Sequence, residues 1–363
     1  MKLLYATSFE KTSGLANRFQ VAAMARAFQK LLGSDFILGA SDFDDSKKEI
    51  KIENFNTTSS SRLAWKILLF AKRNNVEVVY SREQNLLFFL IILNFLFFRL
   101  TIRFAYEVHT MQKTIRGVIL DWFMAHTVLV HIFLTGHLLD AYSKKYKVKK
   151  ERMIVAHDGV EVSLFDVQIS KDAARKKYGL PLDKKIIGYF GRFKTMDMDK
   201  GISDILRALL ELPADIIFLA MGGKKRDRDE YVRLAKELGV DQRMIFVEQF
   251  SQEILAEYQK AVDIFLMPFP WTEHFAYYMS PLKMFEYMAS KRPIIASDLP
   301  SIREVLDEKK ACIVEPSNPQ SLAERIMQLI DDPKYAERIS LGAYQEVQKY
   351  TWEKRVEKIL NTI

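Results

Sequence analysis

Apolar positions along the chain follow two alternating rhythms. Runs such as "KLLYATS", "DFILGA" and "VEVVYS" are nearly continuously apolar over the length of a buried strand, and "EIKIENF" alternates like a further one. Between them "GLANRFQVAAMARAFQKLL" and "SSRLAWKILLFAKRNN" repeat their apolar positions with helical periodicity, the second opened by serine caps. "TIRFAYEVH", "TVLVHIFLT" and "RMIVAHDGV" continue the strands, with helices expected near 114–125 and 137–146. The rhythm restarts after a joint at 151–170. "KKIIGYFGR", "DIIFLAMGG", "RMIFVEQF", "DIFLMPF", "RPIIASD" and "ACIVEP" read as strands. The helices between them are "GISDILRALLEL", "RDEYVRLAKELG", "SQEILAEYQKA", "SPLKMFEYMA" and "SLAERIMQLIDD".

Repeated strand–helix units predict parallel sheets covered by helices on both faces. The fold class is therefore α/β: two Rossmann-like, doubly wound parallel-sheet domains facing a cleft. The expected bounds are 1–160 and 161–343, followed by a closing helix within 344–363. Ligands in such sheets bind beyond the carboxyl ends of the strands, so the strand ends are where chemistry is sought.

Composition adds a polarity to this plan. Of 363 residues, 49% are hydrophobic and 28% charged, an ordinary globular balance. The single cysteine, Cys312, excludes an internal disulfide framework and fits a reducing compartment. The net charge of +8 is unevenly spread: residues 1–160 hold 23 Lys and Arg against 14 Asp and Glu, a surplus of 9, and the remainder holds 31 against 32. A one-sided basic field points to an anionic partner. No signal peptide is read at "MKLLYATSF".

Two stretches carry the candidate chemistry. "IIGYFG" ends at Gly191-Arg192, and Lys200-Gly201 open the next helix. Two cations at a strand-to-helix connection suit a diphosphate, with the helix end adding N–H donors; the plain alternative is two surface cations. In "SPLKMFEYMAS", Ser280 reads as an N-cap and Pro281 as the first helical residue, which leaves N–H groups near Leu282 available to an anion. Glu286 then lies roughly 8 Å along the axis, at about 1.5 Å per residue, where a carboxylate accepts both hydroxyls of a vicinal diol. The plain alternative is a Lys283–Glu286 salt pair on a solvated stripe.

Together "GYFGR…KG", "SPLKMFEYMAS", "RPIIASDLPSIREVL" and "YTWEKRVEKIL" resemble the retaining GT-B glycosyltransferases of family GT4, most strongly over 186–312. The resemblance implies a nucleotide-sugar donor, UDP- or GDP-linked, held by the C-terminal domain, with the acceptor in the N-terminal domain. It implies Arg192 and Lys200 on the diphosphate, Leu282 as a backbone donor and Glu286 on the ribose. Ser280, Lys283 and Gly191 line the donor site, and the closing helix crosses back to the N-terminal domain. One departure stands out. Where the family carries a glutamate eight residues before the ribose-binding one, this chain has Tyr278; Glu273, five residues earlier, is a possible substitute. In the N-terminal half the resemblance puts Gly14 near the donor phosphates and His109 near the transferred sugar. Asp158-Gly159 are read as hinge residues.

The activity expected from this resemblance is retaining, metal-independent transfer of a sugar, hexosyltransferase-like, from a nucleotide-sugar to a lipid-linked or cell-surface glycan acceptor. No cofactor is expected. The competing reading is a non-catalytic nucleotide-sugar-binding scaffold, motivated by Tyr278, with an epimerase a distant third. Asp197/Asp199 and Asp42/Asp44 have the spacing of a metal pair but no third ligand, and His126, His131 and His137 are irregularly spaced, so no metal site is read. No nucleic-acid module or P-loop is present. "NLLFFLIILNFLFF", residues 85–98, is too short for a span of roughly 20 residues. With the basic helix 62–73, which contains Trp65, it suggests a cytoplasmic protein peripheral on the inner, anionic face of the cell membrane.

Overall fold

The computed structural model describes residues 1–8, 15–45, 48–248 and 251–363, with backbone alone for 15–17. Gly14 lies outside the described residues. The chain divides into two compact units, Met1–His157 with Trp352–Ile363, and Asp158–Thr351.

The first unit runs β1 (Leu3–Thr7), α1 (Leu15–Leu32), β2 (Phe36–Ala40), β3 (Ile52–Asn54), α2 (Ser60–Asn74), β4 (Val78–Ser81), α3 (Gln84–Leu93), β5 (Arg103–Val108), α4 (Ile115–Thr127), β6 (Val130–Phe133), α5 (Gly136–Tyr146) and β7 (Met153–Val155). Its strands are all parallel, in the order β3-β2-β1-β4-β5-β6-β7. β1, β2 and β4 are buried throughout, which is why they read as unbroken apolar runs. Tyr5, Phe28, Phe36 and Tyr80 form an aromatic knot, with Tyr5 4.8 Å from Tyr80 and Phe28 stacked on Phe36 at 5.5 Å.

The alternating "EIKIENF" contracts to the three-residue β3, a part-exposed edge strand. The apolar 85–98 segment is not one helix. α3 stops at Leu93 and gives way to a π-helical turn, Asn94–Phe98, ended by Arg99 in the left-handed region.

The second unit runs α6 (Val162–Phe165), α7 (Lys171–Lys177), β8 (Lys185–Phe190), a small antiparallel pair β9 (Lys194–Thr195) and β10 (Met198–Asp199), α8 (Ile202–Ala208), β11 (Ile216–Met221), α9 (Lys225–Glu237), β12 (Met244–Val247), α10 (Gln252–Ala261), β13 (Ile264–Met267), α11 (Leu282–Ala289), β14 (Ile294–Ser297), α12 (Pro300–Arg303), β15 (Cys312–Val314), α13 (Pro319–Asp331) and α14 (Pro333–Val347). The parallel sheet has the order β12-β11-β8-β13-β14-β15, with β8 central and the order reversing beside it. One core, with Phe190, Phe265, Met284 and Met288, lies under α6, α7, α10 and α11; the other, with Tyr189, Ile205, Phe218 and Ile326, lies under α8, α9 and α13. The last helix, α15 (Trp352–Leu360), packs on α1 in the first unit.

Candidate functional site: the carboxyl end of β8

β8 leads into Gly191, whose N–H donates to the Met221 carbonyl at 2.8 Å. A Cβ at Gly191 would stand 3.4 Å from Lys283 Nζ, so the lysine of α11 lies directly against the strand end. Gly222, at φ 110°, closes the other side: its missing Cβ would sit 2.6 Å from the Gly191 carbonyl oxygen. Tyr287 fixes α11 in this position. Its hydroxyl oxygen accepts from Phe190 N–H at 2.8 Å, and its ring stacks on Phe265 at 4.1 Å.

Lys283 is buried and its Nζ has no hydrogen-bond partner. The nitrogen sits 3.3 Å from the Tyr189 ring centroid and 5.7 Å from that of Phe269. Burial holds it well below the ordinary lysine range, with the charges of Lys200 and Arg192 adding to the effect and Glu286 opposing it. Lys200, half-buried, is pushed down to about 7 by burial and by Arg192. Glu286, one turn beyond Lys283, is pushed up to about 7 by burial, against Lys283 and the Gln259 side chain. Arg192 is exposed beside them. Three cations and one carboxylate are thus gathered at one strand end, with two lysines and the carboxyl displaced toward neutrality. An entering anion would relieve that mutual repulsion. The salt-pair alternative fails, because Lys283 Nζ bonds to nothing and Glu286 is not a partner of it.

Two expectations need correction. Ser280 is not the N-cap: its hydroxyl accepts from Asp158 N–H at 2.9 Å, and Pro281 takes the cap position, so the helix starts at Leu282. No side chain caps α11; Met284 N–H donates to the Pro281 carbonyl at 2.9 Å, which leaves the helix start at Leu282 and Lys283 to meet an anion. The second correction concerns α8. Asp199 accepts from the N–H groups of Gly201 (2.9 Å), Ile202 (3.0 Å) and Ser203 (3.1 Å), and from the Ser203 hydroxyl. The donors expected to meet a phosphate there are already occupied. This also gives Asp199 a structural task in place of the metal pair its spacing suggested. Among the described residues no group of three His, Cys, Asp or Glu side chains is arranged to hold a metal ion.

Tyr278 closes a π-helical turn, His274–Tyr278, and its hydroxyl donates to Glu273 Oε1 at 2.8 Å. The tyrosine and the glutamate considered as its substitute are therefore one hydrogen-bonded pair. His109 follows β5 in the first unit. Its Nε2 lies 2.5 Å from Glu107 Oε1 and its Nδ1 3.3 Å from Arg82 Nη2, while Arg355 of α15 reaches Glu107 Oε2 at 3.0 Å. Burial first, and then Arg82, hold the imidazole down at about 4, so it is neutral at physiological pH. His126 is exposed on α4, and His131 is buried among Tyr106, Phe133 and Tyr142. The part played by Tyr189, Tyr287, Gln259 and Asp199 is absent from the sequence reading. The aromatic residue in "GYFGR" is the one signal that could have suggested a seat for Lys283.

The fold and this strand-end cluster define a two-unit, doubly wound α/β protein with cations gathered at one strand end, and known proteins narrow the class. Residues 170–346 match the family described as Glycosyl transferases group 1. D-inositol 3-phosphate glycosyltransferase of Mycolicibacterium smegmatis is 28% identical over 219 residues, 59% of this chain and 48% of that protein. The same enzyme of Thermomonospora curvata is 28% identical over 232 residues, 59% and 52% of the two chains. The chain spans about half the length of the curated relatives it matches. Among solved structures, a glycosyltransferase from Rickettsia africae superposes with a TM-score of 0.81 at 18% identity, covering 99% of this chain and 97% of the other. Anabaena HepE in complex with UDP gives 0.79 at 18%, over the whole of both chains. Residues 170–346 thus match the group 1 glycosyltransferase family, and the chain shares the GT-B fold along its length with solved glycosyltransferases.

Proposed function

We propose that this protein transfers a sugar, with retention and without a bound metal, from a nucleotide-sugar donor to a lipid-linked or cell-surface glycan acceptor. The observation that carries the donor half is the buried, unpartnered amine of Lys283, set against Gly191 with Arg192 and Lys200 beside it. In this reading the three cations and the open start of α11 take the diphosphate, and Glu286 accepts the ribose hydroxyls. Charge builds on the departing diphosphate as the glycosidic bond breaks, and the cations stabilise it there. His109, Tyr278 and Glu273 are assigned to the sugar, Ser280 and Leu282 to the donor-side helix start, and Gly14 to the phosphates. Support for the donor class comes from HepE, solved with UDP and with UDP-glucose. Support for the acceptor class is indirect: the excess positive charge of residues 1–160 favours an anionic surface, in keeping with work at the cytoplasmic face of a membrane.

Tyr278, standing where a glutamate is expected and tied to Glu273, favours a second reading in which the protein binds nucleotide-sugars without turnover. A panel of UDP- and GDP-sugars read by thermal shift, followed by release of free nucleotide in the presence of membrane extract, separates the two. Stabilisation with release supports transfer, stabilisation without release supports the scaffold, and no stabilisation by any donor contradicts both.

A further inference from the structure

We infer that the helical layer α2–α3–α4 of the first unit is a docking surface for an anionic lipid bilayer, with Trp65, Phe95, Phe97, Ile115, Ile119 and Trp122 entering the headgroup region. The inference deepens the membrane-facing part of the proposed function and rests on that reading. To the stretches 62–73 and 85–98 it adds the exposed stripe of α4 and the turn that presents Phe95 and Phe97.

Three observations carry it. The first is apolar exposure. Phe95 is 74% exposed and Ile115 82%, and Leu96, Phe97, Ile119 and Trp122 are each more than half exposed. Single exposed apolar residues are ordinary, but these fall on adjoining elements, because α3 packs against both α2 and α4. Trp65 of α2 meets Phe97 at 5.7 Å and Phe98 at 4.9 Å, and Phe88 of α3 meets Phe123 of α4 at 5.2 Å. On α4, positions 115, 119 and 122 share one stripe.

The second observation is that the aromatics are presented by a built turn. The buried Asn94 side chain bridges the π-helical turn to the strand-bound chain: Nδ2 donates to the Leu100 carbonyl and Oδ1 accepts from Leu100 N–H, both at 3.0 Å. Arg99 N–H returns to the Asn94 carbonyl at 2.6 Å. Phe95, Leu96 and Phe97 therefore stand on a hydrogen-bonded frame that points them outward, at the cost of their exposure to water.

The third observation is charge. Residues 54–76 contain no Asp or Glu, and between 84 and 139 the only two are Glu107 and Asp121, which are 1% and 0% exposed. The basic residues of the same stretches are four within 62–73, together with Arg99, Arg103, Lys113 and Arg116, and all are exposed. Basic residues adjoin the apolar ones in the chain: Lys66 follows Trp65, Arg99 follows Phe98 and Arg116 follows Ile115. Aromatic and aliphatic side chains with a cationic rim and no exposed carboxylate match an anionic interface. A second copy of the chain is a poor occupant, since an isologous pairing sets these cations against themselves. Among the described residues no helix is long and apolar enough to cross a membrane.

The test is flotation of the purified full chain with vesicles of phosphatidylcholine alone and with about one-third phosphatidylglycerol, at low and high salt. Expected is co-flotation with the anionic vesicles that weakens with salt. Lys113→Ser with Arg116→Ser lowers the partition roughly twenty- to thirty-fold, taking about fivefold per basic residue. Phe95→Ser with Phe97→Ser lowers it at least tenfold. Both pairs are exposed, so the melting temperature and the thermal shift with UDP or GDP remain those of the parent and report on the donor site separately. Absence of the parent from the anionic vesicle fraction at low salt, or flotation unchanged in both variants, overturns the inference. So does self-association by light scattering that the Phe95/Phe97 variant abolishes, because the face then pairs with another copy.

Discussion

Replacing Lys283 by methionine separates a binding lysine from a structural one, because the two roles predict opposite signs. The unliganded protein keeps a buried nitrogen with no hydrogen-bond partner, which costs on the order of 1–3 kcal/mol. Its contact with the Tyr189 ring, at 3.3 Å, returns part of that, about 0.5–2 kcal/mol while the amine is charged. Methionine fills nearly the same volume, keeps the ring contact through sulfur and removes the unmet donor. Lys283→Met is therefore expected to raise stability by about 1 kcal/mol, a gain of roughly 2–4 °C in melting temperature for a unit of this size. The same change should weaken binding of the diphosphate by about 1.5–3 kcal/mol, the worth of a hydrogen bond to a charged group, or roughly 10- to 150-fold. Differential scanning calorimetry gives the first quantity and isothermal titration with UDP and GDP gives the second. A lysine that merely snorkels along α11 would lose stability on substitution and leave affinity within twofold. That pair of results refutes the argument.

Protonation should follow binding. A bound diphosphate favours charged Lys200, which rests near 7 in the empty site, so affinity should rise as pH falls from about 9 toward about 7, with net proton uptake above neutrality. Below about 7 Glu286 takes up a proton and loses its capacity to accept both ribose hydroxyls, so affinity should fall again; a flat profile between about pH 6 and 9 in calorimetry contradicts this. Gly201→Ala places a Cβ 1.9 Å from the Pro268 carbonyl oxygen at a φ of 88°, and chemical denaturation should show a loss of more than about 2 kcal/mol. Arg355→Met leaves Glu107 buried without its guanidinium partner, 3.0 Å away in the parent, and should cost about 3–5 kcal/mol by the same method. A loss under about 1 kcal/mol would show that α15 contributes little to the first unit.

Local signals in the sequence were sufficient where the structure is local. The strand–helix alternation reads through because strands such as β1, β8 and β11 are buried on both faces and carry no polar interruption. Gly191, Arg192, Lys200, Lys283 and Glu286 were legible because each sits within a few residues of a strand end or a helix start. Ser280 was misread for the opposite reason. Its hydroxyl is taken by Asp158, 122 residues distant, and no pattern near "SPLK" signals that competitor. Asp199 looked like half of a metal pair because spacing does not show that three N–H groups of the next turn converge on it. Glu107 was passed over as an ordinary strand residue; its partners, His109 and Arg355, come from a loop and from a helix some 248 positions later. The exposure of Ile115, Ile119 and Trp122 was equally hidden, since an apolar stripe on a helix normally turns inward.

The most direct measurement compares UDP and GDP with their 2′,3′-dideoxy forms in the parent protein and in Glu286→Ala. If Glu286 holds the ribose diol beyond the diphosphate site, the better-bound nucleotide should exceed its dideoxy form by roughly 10- to 100-fold in the parent, and the alanine variant should bind the two alike. Equal binding of both forms by the parent, or a preference that survives in the variant, would place the ribose elsewhere and contradict the arrangement.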